Sequence, residues 1–476
     1  MTIEVKSFID GKYLESKCSI EIFNPSTGEV LAISQDADSA TVDLAVMSAI
    51  EVQKTWRKVA VHDRTTILRK ISTLLLDNQR SLGEMESLQT GKPLSQGLRD
   101  VELAARYFDF YASAIESLHG TTIPLDDKHL IFTTWEPHGV TGHVIPWNYP
   151  LQILARSVAP SLAMGNTCVL KPAEQTPLTA LKVAELAIEA GLPAGAFNVV
   201  VGLGETTGSS LTSHPGINHI SFTGSVEVGQ IISRAAANNL VPVTMELGGK
   251  SPNVVFADAN LEKAIPIIVN SILQNAGQTC SAGSRLIVED SIHDEVVQRL
   301  VEFFENITIG PALSDLKLGP LISEEQRNRV LSYVDRVSGG EKIVFGGKAL
   351  SGGIFGNGYY VQPTIIDHVD SQSSLGQEEI FGPVLVVHTF ANISEAVELA
   401  NCTEYGLVAG VWTQDISKAH YMLKEIVSGQ IFVNTYGASG GVELPFGGFK
   451  KSGYGREKGF EGLKGFGQIK TGIIAI

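Results

Sequence analysis

Four cysteines, Cys18, Cys168, Cys280 and Cys402, are spread over 476 residues without a close pair. The spacing predicts no disulfide framework, no zinc site and no resident metal, so sulfur chemistry here is that of a lone thiol. Cys280 stands apart because Asn275-Ala276-Gly277-Gln278-Thr279-Cys280-Ser281 is polar and small-residued and reads as a loop, where reactive groups concentrate. The other three have strand-like or helix-like neighbours and read as small buried hydrophobes. A thiol nucleophile needs a base or a depressed pKa. Glu246, in Thr244-Met245-Glu246-Leu247-Gly248-Gly249-Lys250, follows a strand and precedes a glycine turn. That place suits a general base projecting into a cleft; as a surface residue it would instead pair with Lys250. Asn148 lies between Pro146 and Pro150, which hold the backbone extended or turned. A rigid amide donor of this kind suits an oxyanion hole.

A second group of residues suits a nucleotide. Lys171-Pro172-Ala173-Glu174 follows the strand Cys168-Val169-Leu170, and α/β sheets bind ligands at the carboxyl ends of strands. Glu174 there can accept two ribose hydroxyls and would repel a 2′-phosphate, which favours NAD over NADP; the alternative is a solvated loop pair. Gly202-Leu203-Gly204 also follows a strand, but the next glycine is Gly208, one place later than the dinucleotide fingerprint requires. Thr223-Gly224-Ser225, with Gly229, opens a helix whose positive end would favour a pyrophosphate. Read alone, this segment fits a plain glycine turn equally well.

The elements that must position these groups follow from hydrophobic periodicity. Residues 38–115 read mostly as helices, with Ile67, Leu68, Ile71, Leu74 and Leu75 at helical spacing over 63–79 and Asp63 as the expected N-cap. From about residue 137 short β-branched runs alternate with helices: 142–145, 167–170, 197–201, 219–222 and 241–244. A second alternating stretch, 250–450, offers strands at 252–256, 284–288, 384–390, 409–412 and 430–433. Such alternation indicates parallel βαβ units, here in two α/β domains. The chain is 43% hydrophobic and 18% charged with 48 glycines, a globular composition rich in tight turns. Its net charge of −15 argues against nucleic acid or an anionic membrane as partner. No apolar run is long enough to span a bilayer and the N-terminus has no signal pattern, so a cytoplasmic enzyme acting on a small molecule is expected.

Pro146-Trp147-Asn148, Lys171-Pro172-Ala173-Glu174, Phe222-Thr223-Gly224-Ser225, Glu246-Leu247-Gly248-Gly249-Lys250, Gly277-Gln278-Thr279-Cys280, Glu379-Ile380-Phe381-Gly382-Pro383 and Pro445-Phe446-Gly447-Gly448 together resemble the aldehyde dehydrogenase superfamily, in order and spacing and over essentially the whole chain. The resemblance implies an oxidoreductase that converts an aldehyde to its carboxylic acid with NAD, NADP being the alternative cofactor. Cys280 would be the nucleophile, Glu246 the base, and Asn148 with the Cys280 N–H the oxyanion donors. Ile145, Pro146, Trp147, Lys171, Glu174, Gly204, Gly224, Ser225, Leu247, Glu379 and Phe381 would contact the cofactor, and Glu457 would relay protons, as its counterpart does in some members.

The implied fold is a Rossmann-like cofactor domain (residues 1–115 and 137–248), an α/β catalytic domain (249–451) and a small β oligomerisation extension (116–136 and 452–476), giving a homodimer or homotetramer. Tyr149 and Phe446 would wall the substrate channel beside a loop of mostly small residues, 435–442. Arg156, eight residues after Asn148, would favour an acidic or aromatic aldehyde if it faces the channel; otherwise it makes an internal ion pair. Gln274 stands where some succinate-semialdehyde enzymes carry a second arginine. Two other readings are a coenzyme A-acylating enzyme of the same fold, which characteristically lacks the base glutamate, and a binding protein without chemistry.

Overall fold

The computed structural model describes residues 3–14, 19–437 and 441–476. Cys18 and part of the 435–442 loop lie outside them. One of two large sheets has eight strands, five of which run parallel in the spatial order Val243–Glu246, His219–Thr223, Val140–Val144, Thr167–Lys171, Phe197–Val199. These strands are almost wholly buried, because helices cover both faces of a parallel sheet and leave no wet side for polar residues. The winding reverses between Val140–Val144 and His219–Thr223. Loops leaving those two carboxyl ends diverge, and the crevice between them is where open α/β sheets take their ligands.

Helices supply the cover. Ser39–Trp56 begins at Asp38, whose carboxylate accepts the Thr41 N–H, and it buries Val42, Ala45, Val46 and Ala49 at helical spacing. The expected helix at 63–79 runs instead over Val61–Asp77 behind Ala60, which makes no side-chain cap. Asp63 lies inside its first turn, where a carboxylate opposes the positive helix end. Strands at Ser7–Ile9 and Lys12–Leu14 extend the sheet at one edge and Gly453–Tyr454 closes the other, all antiparallel to their neighbours.

The second sheet has seven strands, in the order Lys342–Phe345, Thr364–Asp367, Val384–Phe390, Arg285–Glu289, Pro252–Val255, Val408–Trp412, Gln430–Val433. Only the first of them is antiparallel. The chain passes from Glu246, the end of the last parallel strand of the first sheet, to Pro252, the first residue of the second sheet, across a five-residue link. The carboxyl edge of the first sheet therefore meets the amino edge of the second, and the loops entering the second sheet line the same seam.

Gly467–Ala475 pairs antiparallel with His129–Pro137 over nine residues. The proposed extension at 452–476 is narrower than expected: Gly453–Tyr454 belongs to the eight-stranded sheet, and the Gly459–Gly465 helix packs on the Pro150–Met164 helix.

Candidate active site

Cys280 sits on the loop that enters Arg285–Glu289. The loop turns sharply because Asn275 and Ala276 both adopt left-handed backbone, φ 49° and 53°, a conformation costing a non-glycine residue roughly 1 kcal/mol. Across the seam, a Cβ on Gly249 would lie 2.5 Å from the Cys280 carbonyl, and one on Gly248 would lie 2.2 Å from Glu379 Oε2. Glycine at 249 is required by the Cys280 backbone, whereas a side chain at 248 would displace the Glu379 carboxylate. Burial raises the Cys280 thiol to about 11, against the opposing pull of Arg156. In the free protein Cys280 is thus a thiol and not a standing thiolate.

Glu246 ends its strand with both carboxylate oxygens buried and without a hydrogen bond. Burial first, then the neighbouring Glu457, raises its pKa well above the usual carboxylate range. The surface pairing with Lys250 is not found. Lys250 is itself buried, its Nζ makes no hydrogen bond, and burial lowers it to about 7.

Asn148 is clamped by residues from the helical region 38–115 and by Asn275. Lys92, 1% exposed, donates to the Asn148 carbonyl at 3.0 Å and to the Asp100 carboxylate, with Glu86 3.8 Å away. Asn275 Nδ2 donates to the same carbonyl at 2.9 Å. Glu86 accepts the Leu151 N–H at 3.2 Å, and Asp100 accepts Gln152 Nε2 at 2.5 Å. The start of the Pro150–Met164 helix is held by this buried cluster. The Asn148 side chain donates one N–H to the Gln278 carbonyl at 3.0 Å, which fixes the amide orientation and leaves its second N–H to donate elsewhere. No local pattern marks Lys92, which reads as a surface lysine between two helices.

The nucleotide candidates gather at the carboxyl edge of the first sheet. Ile145 continues its strand by donating to the Lys171 carbonyl at 3.1 Å. Buried Lys171 reaches half-buried Glu174 at 3.4 Å. Ser225 caps the Val226–Asn238 helix, accepting from Val228 N–H, and Val228 and Ile231 stand exposed on that helix. Leu247 donates its N–H to the Ser452 carbonyl at 3.0 Å. Trp147 meets Phe381 edge to face at 5.3 Å, while Glu379 accepts the Gly249 N–H at 3.0 Å and is raised to about 7 by burial. Gly204 differs from the fingerprint for a physical reason. Asp36 Oδ1 accepts the Leu203 N–H and the Thr206 and Thr207 hydroxyls at 2.9, 2.6 and 3.1 Å, so a carboxylate of this chain takes donors that a phosphate would use in a true fingerprint loop.

Arg156 is buried and ion-paired with Glu457, and it donates to Thr223 Oγ1 at 3.2 Å. Of its two expected roles, the internal ion pair is the one with a partner in the protein. Ser221 Oγ also donates to Glu457 at 3.1 Å. Cys280 packs against the cluster of Leu407, Val408 and Phe446, and Tyr149 bonds Thr279 Oγ1 at 2.9 Å with Lys92 4.2 Å over its ring. Gln274 is exposed. Lys458, which no local pattern in the sequence marks, stands 5.0 Å over the Phe446 ring. His293, Asp367 and His368 bring ligand-capable atoms within 4.8 Å of one another, but at the opposite, carboxyl edge of the second sheet. There His293 bonds Asp294 and Asp367 at 2.9 Å each.

The chain belongs to the aldehyde dehydrogenase family, whose model matches residues 13–472. It is 41% identical to retinal dehydrogenase 2 of Homo sapiens, over 99% of this chain and 92% of that one. It is 42% identical to an aldehyde dehydrogenase of Enchytraeus buchholzi, over 98% and 95%. The structure of an NAD+ complex of an aldehyde dehydrogenase from Bacillus cereus superposes with a TM-score of 0.96 at 37% identity, covering 99% of this chain and 97% of that chain.

Proposed function

We propose that the protein oxidises an aldehyde to the carboxylic acid with NAD, through a covalent intermediate on Cys280. The observation that carries this reading is the convergence at one seam of a half-buried thiol, a buried carboxylate with no hydrogen bond, and an amide with an N–H to spare. Glu246, its carboxyl raised above the ordinary range by burial and by Glu457, takes the thiol proton, and the sulfur adds to the carbonyl carbon. Asn148 Nδ2, with the Cys280 N–H, holds the resulting oxyanion. NAD, when bound, supplies the hydride acceptor. Departure of the hydride leaves a thioester; Glu246, after releasing the thiol proton to solvent, draws a proton from water, which attacks the acyl carbon and returns the sulfur as the leaving group.

The residues fit the cofactor. Glu174 lies half-exposed beside Lys171 at a strand end, and the exposed Val228 and Ile231 offer an apolar face to an adenine. The NAD+ complex of the Bacillus cereus relative supports the same choice, and Glu174 disfavours a 2′-phosphate. Glu246 also separates this reading from acyl transfer to coenzyme A. NADH formation with equal carboxylic acid release in the absence of coenzyme A is the expected result; dependence on coenzyme A would refute it.

The exposed strand Gly467–Ala475 presents Ile469 and Ile473, 59% and 65% exposed. A second copy of the chain is the cover this reading assigns, as a homodimer or a tetramer of dimers. Among the described residues no helix is long and apolar enough to cross a membrane. The cytoplasm is inferred from the chemistry, which needs Cys280 reduced.

A further inference from the structure

Two cations flank the Phe446 ring, Arg156 at 5.4 Å and Lys458 at 5.0 Å, and Cys280 packs against the small apolar cluster of Leu407, Val408 and Phe446. The two differ in what they are free to do. Arg156 is held by Glu457 and Thr223. The Lys458 ammonium is half-buried and has no hydrogen bond or ion pair among the described residues, although it shares electrostatic contact with Cys280, Glu246, Glu457 and Arg156. Its backbone is also unusual. At φ 59° and ψ 168° it occupies a region almost reserved for glycine, and residues kept there against strain concentrate at functional sites. The strain is imposed from both sides: Phe446 and Glu457 exchange backbone hydrogen bonds at 2.7 and 2.8 Å, and the Gly459 N–H donates to the Val442 carbonyl at 2.8 Å. The Lys458 backbone therefore cannot relax without breaking that ladder, which fixes where its side chain starts.

We propose that Lys458 is a specificity-determining residue of the aldehyde pocket, its ammonium receiving the distal carboxylate of an aldehyde whose reactive end lies at Cys280. This rests on the reading of Cys280 as nucleophile. Burial lowers the Lys458 ammonium to about 8, which keeps it mostly charged at neutral pH. Lacking a bonded partner, it has a full charge-assisted hydrogen bond to offer.

The test compares kcat/KM for para-carboxybenzaldehyde against para-tolualdehyde, and for succinic semialdehyde against butanal, in the wild-type enzyme and in Lys458→Met, Lys458→Gly and Arg156→Met. Lys458→Met is expected to lower the acidic-to-neutral ratio about tenfold or more, the worth of one such bond, chiefly through KM. Lys458→Gly should lose the same preference with a thermal midpoint no lower than wild type, since glycine accepts that backbone, which separates lost recognition from lost folding. Arg156→Met should depress both aldehydes of a pair together. The proposal is overturned if Lys458→Met moves both aldehydes equally or neither, or if Arg156→Met alone removes the preference. Failure of the wild-type enzyme to oxidise any of the four would instead strike the reading of Cys280.

Discussion

The thiol proposed as nucleophile, Cys280, is held by burial at about 11, so the proposed reaction assigns its activation to Glu246 at the moment of use. The direction is testable. Because the folded thiol titrates above its ordinary value, the thiolate fraction at neutral pH is small and grows with pH. Iodoacetamide labelling of Cys280 in the free enzyme is expected to accelerate about tenfold per pH unit between roughly pH 7 and 10. A rate that levels off by about pH 8 would show a thiol activated before substrate arrives. Cys280 should still react before Cys168, which is wholly buried and raised to a similar value. Asn148→Ala removes one oxyanion donor, worth about 3 kcal/mol or roughly a hundredfold in kcat. NAD binding, followed by fluorescence, should change little, and an unchanged kcat would take Asn148 out of this role. These residues were legible in the sequence because their chemistry demands polar side chains beside strand ends. Lys458 was not, since its role depends on which of two cations Glu457 already holds.

At the scale of elements, the helix Pro150–Met164 carries Asn148 at its threshold, and the buried cluster of Lys92, Glu86 and Asp100 fixes that threshold. Burial raises both carboxyls above their ordinary values, opposed by Lys92. Lys92→Met leaves two desolvated acids without their cation, a loss of about 3–5 kcal/mol for a broken buried pair. A thermal midpoint several degrees lower is expected, with kcat reduced more than KM is changed. If the midpoint and kcat both stay at wild-type values, the clamp is not what positions Asn148. The parallel strands were readable because burial on both faces produces short apolar runs. Three-residue strands such as Ser7–Ile9 and Lys12–Leu14 are too short to show any period. Gly202, Gly204 and Gly208 miss the dinucleotide fingerprint by one place, and Asp36, some 170 residues earlier, takes donors of that turn; such a pairing is invisible to local spacing. Lys92 was opaque for the same reason, its partner carbonyl lying 56 residues away.

At the scale of the molecule, two sheets meet edge to edge and the site is the seam, so the site exists only when both sheets are folded. The Gly467–Ala475 strand lies outside both, and its exposed Ile469, Ile473 and Ile474 call for a partner surface. Light scattering should give a multiple of the 51.0 kDa chain, and Ile473→Lys should shift that mass downward. A wild-type monomer would contradict the proposed assembly.

The central claim is that the aldehyde carbon becomes bonded to Cys280. Rapid acid quenching of enzyme mixed with NAD and benzaldehyde, followed by mass spectrometry of digested peptides, tests it directly. One benzoyl group on the peptide containing Cys280 in the wild-type enzyme is the predicted result, formed more slowly in Glu246→Gln, which lacks the base for both steps. Turnover with no acyl group on that peptide, or with the group on Cys168 or Cys402, would contradict it.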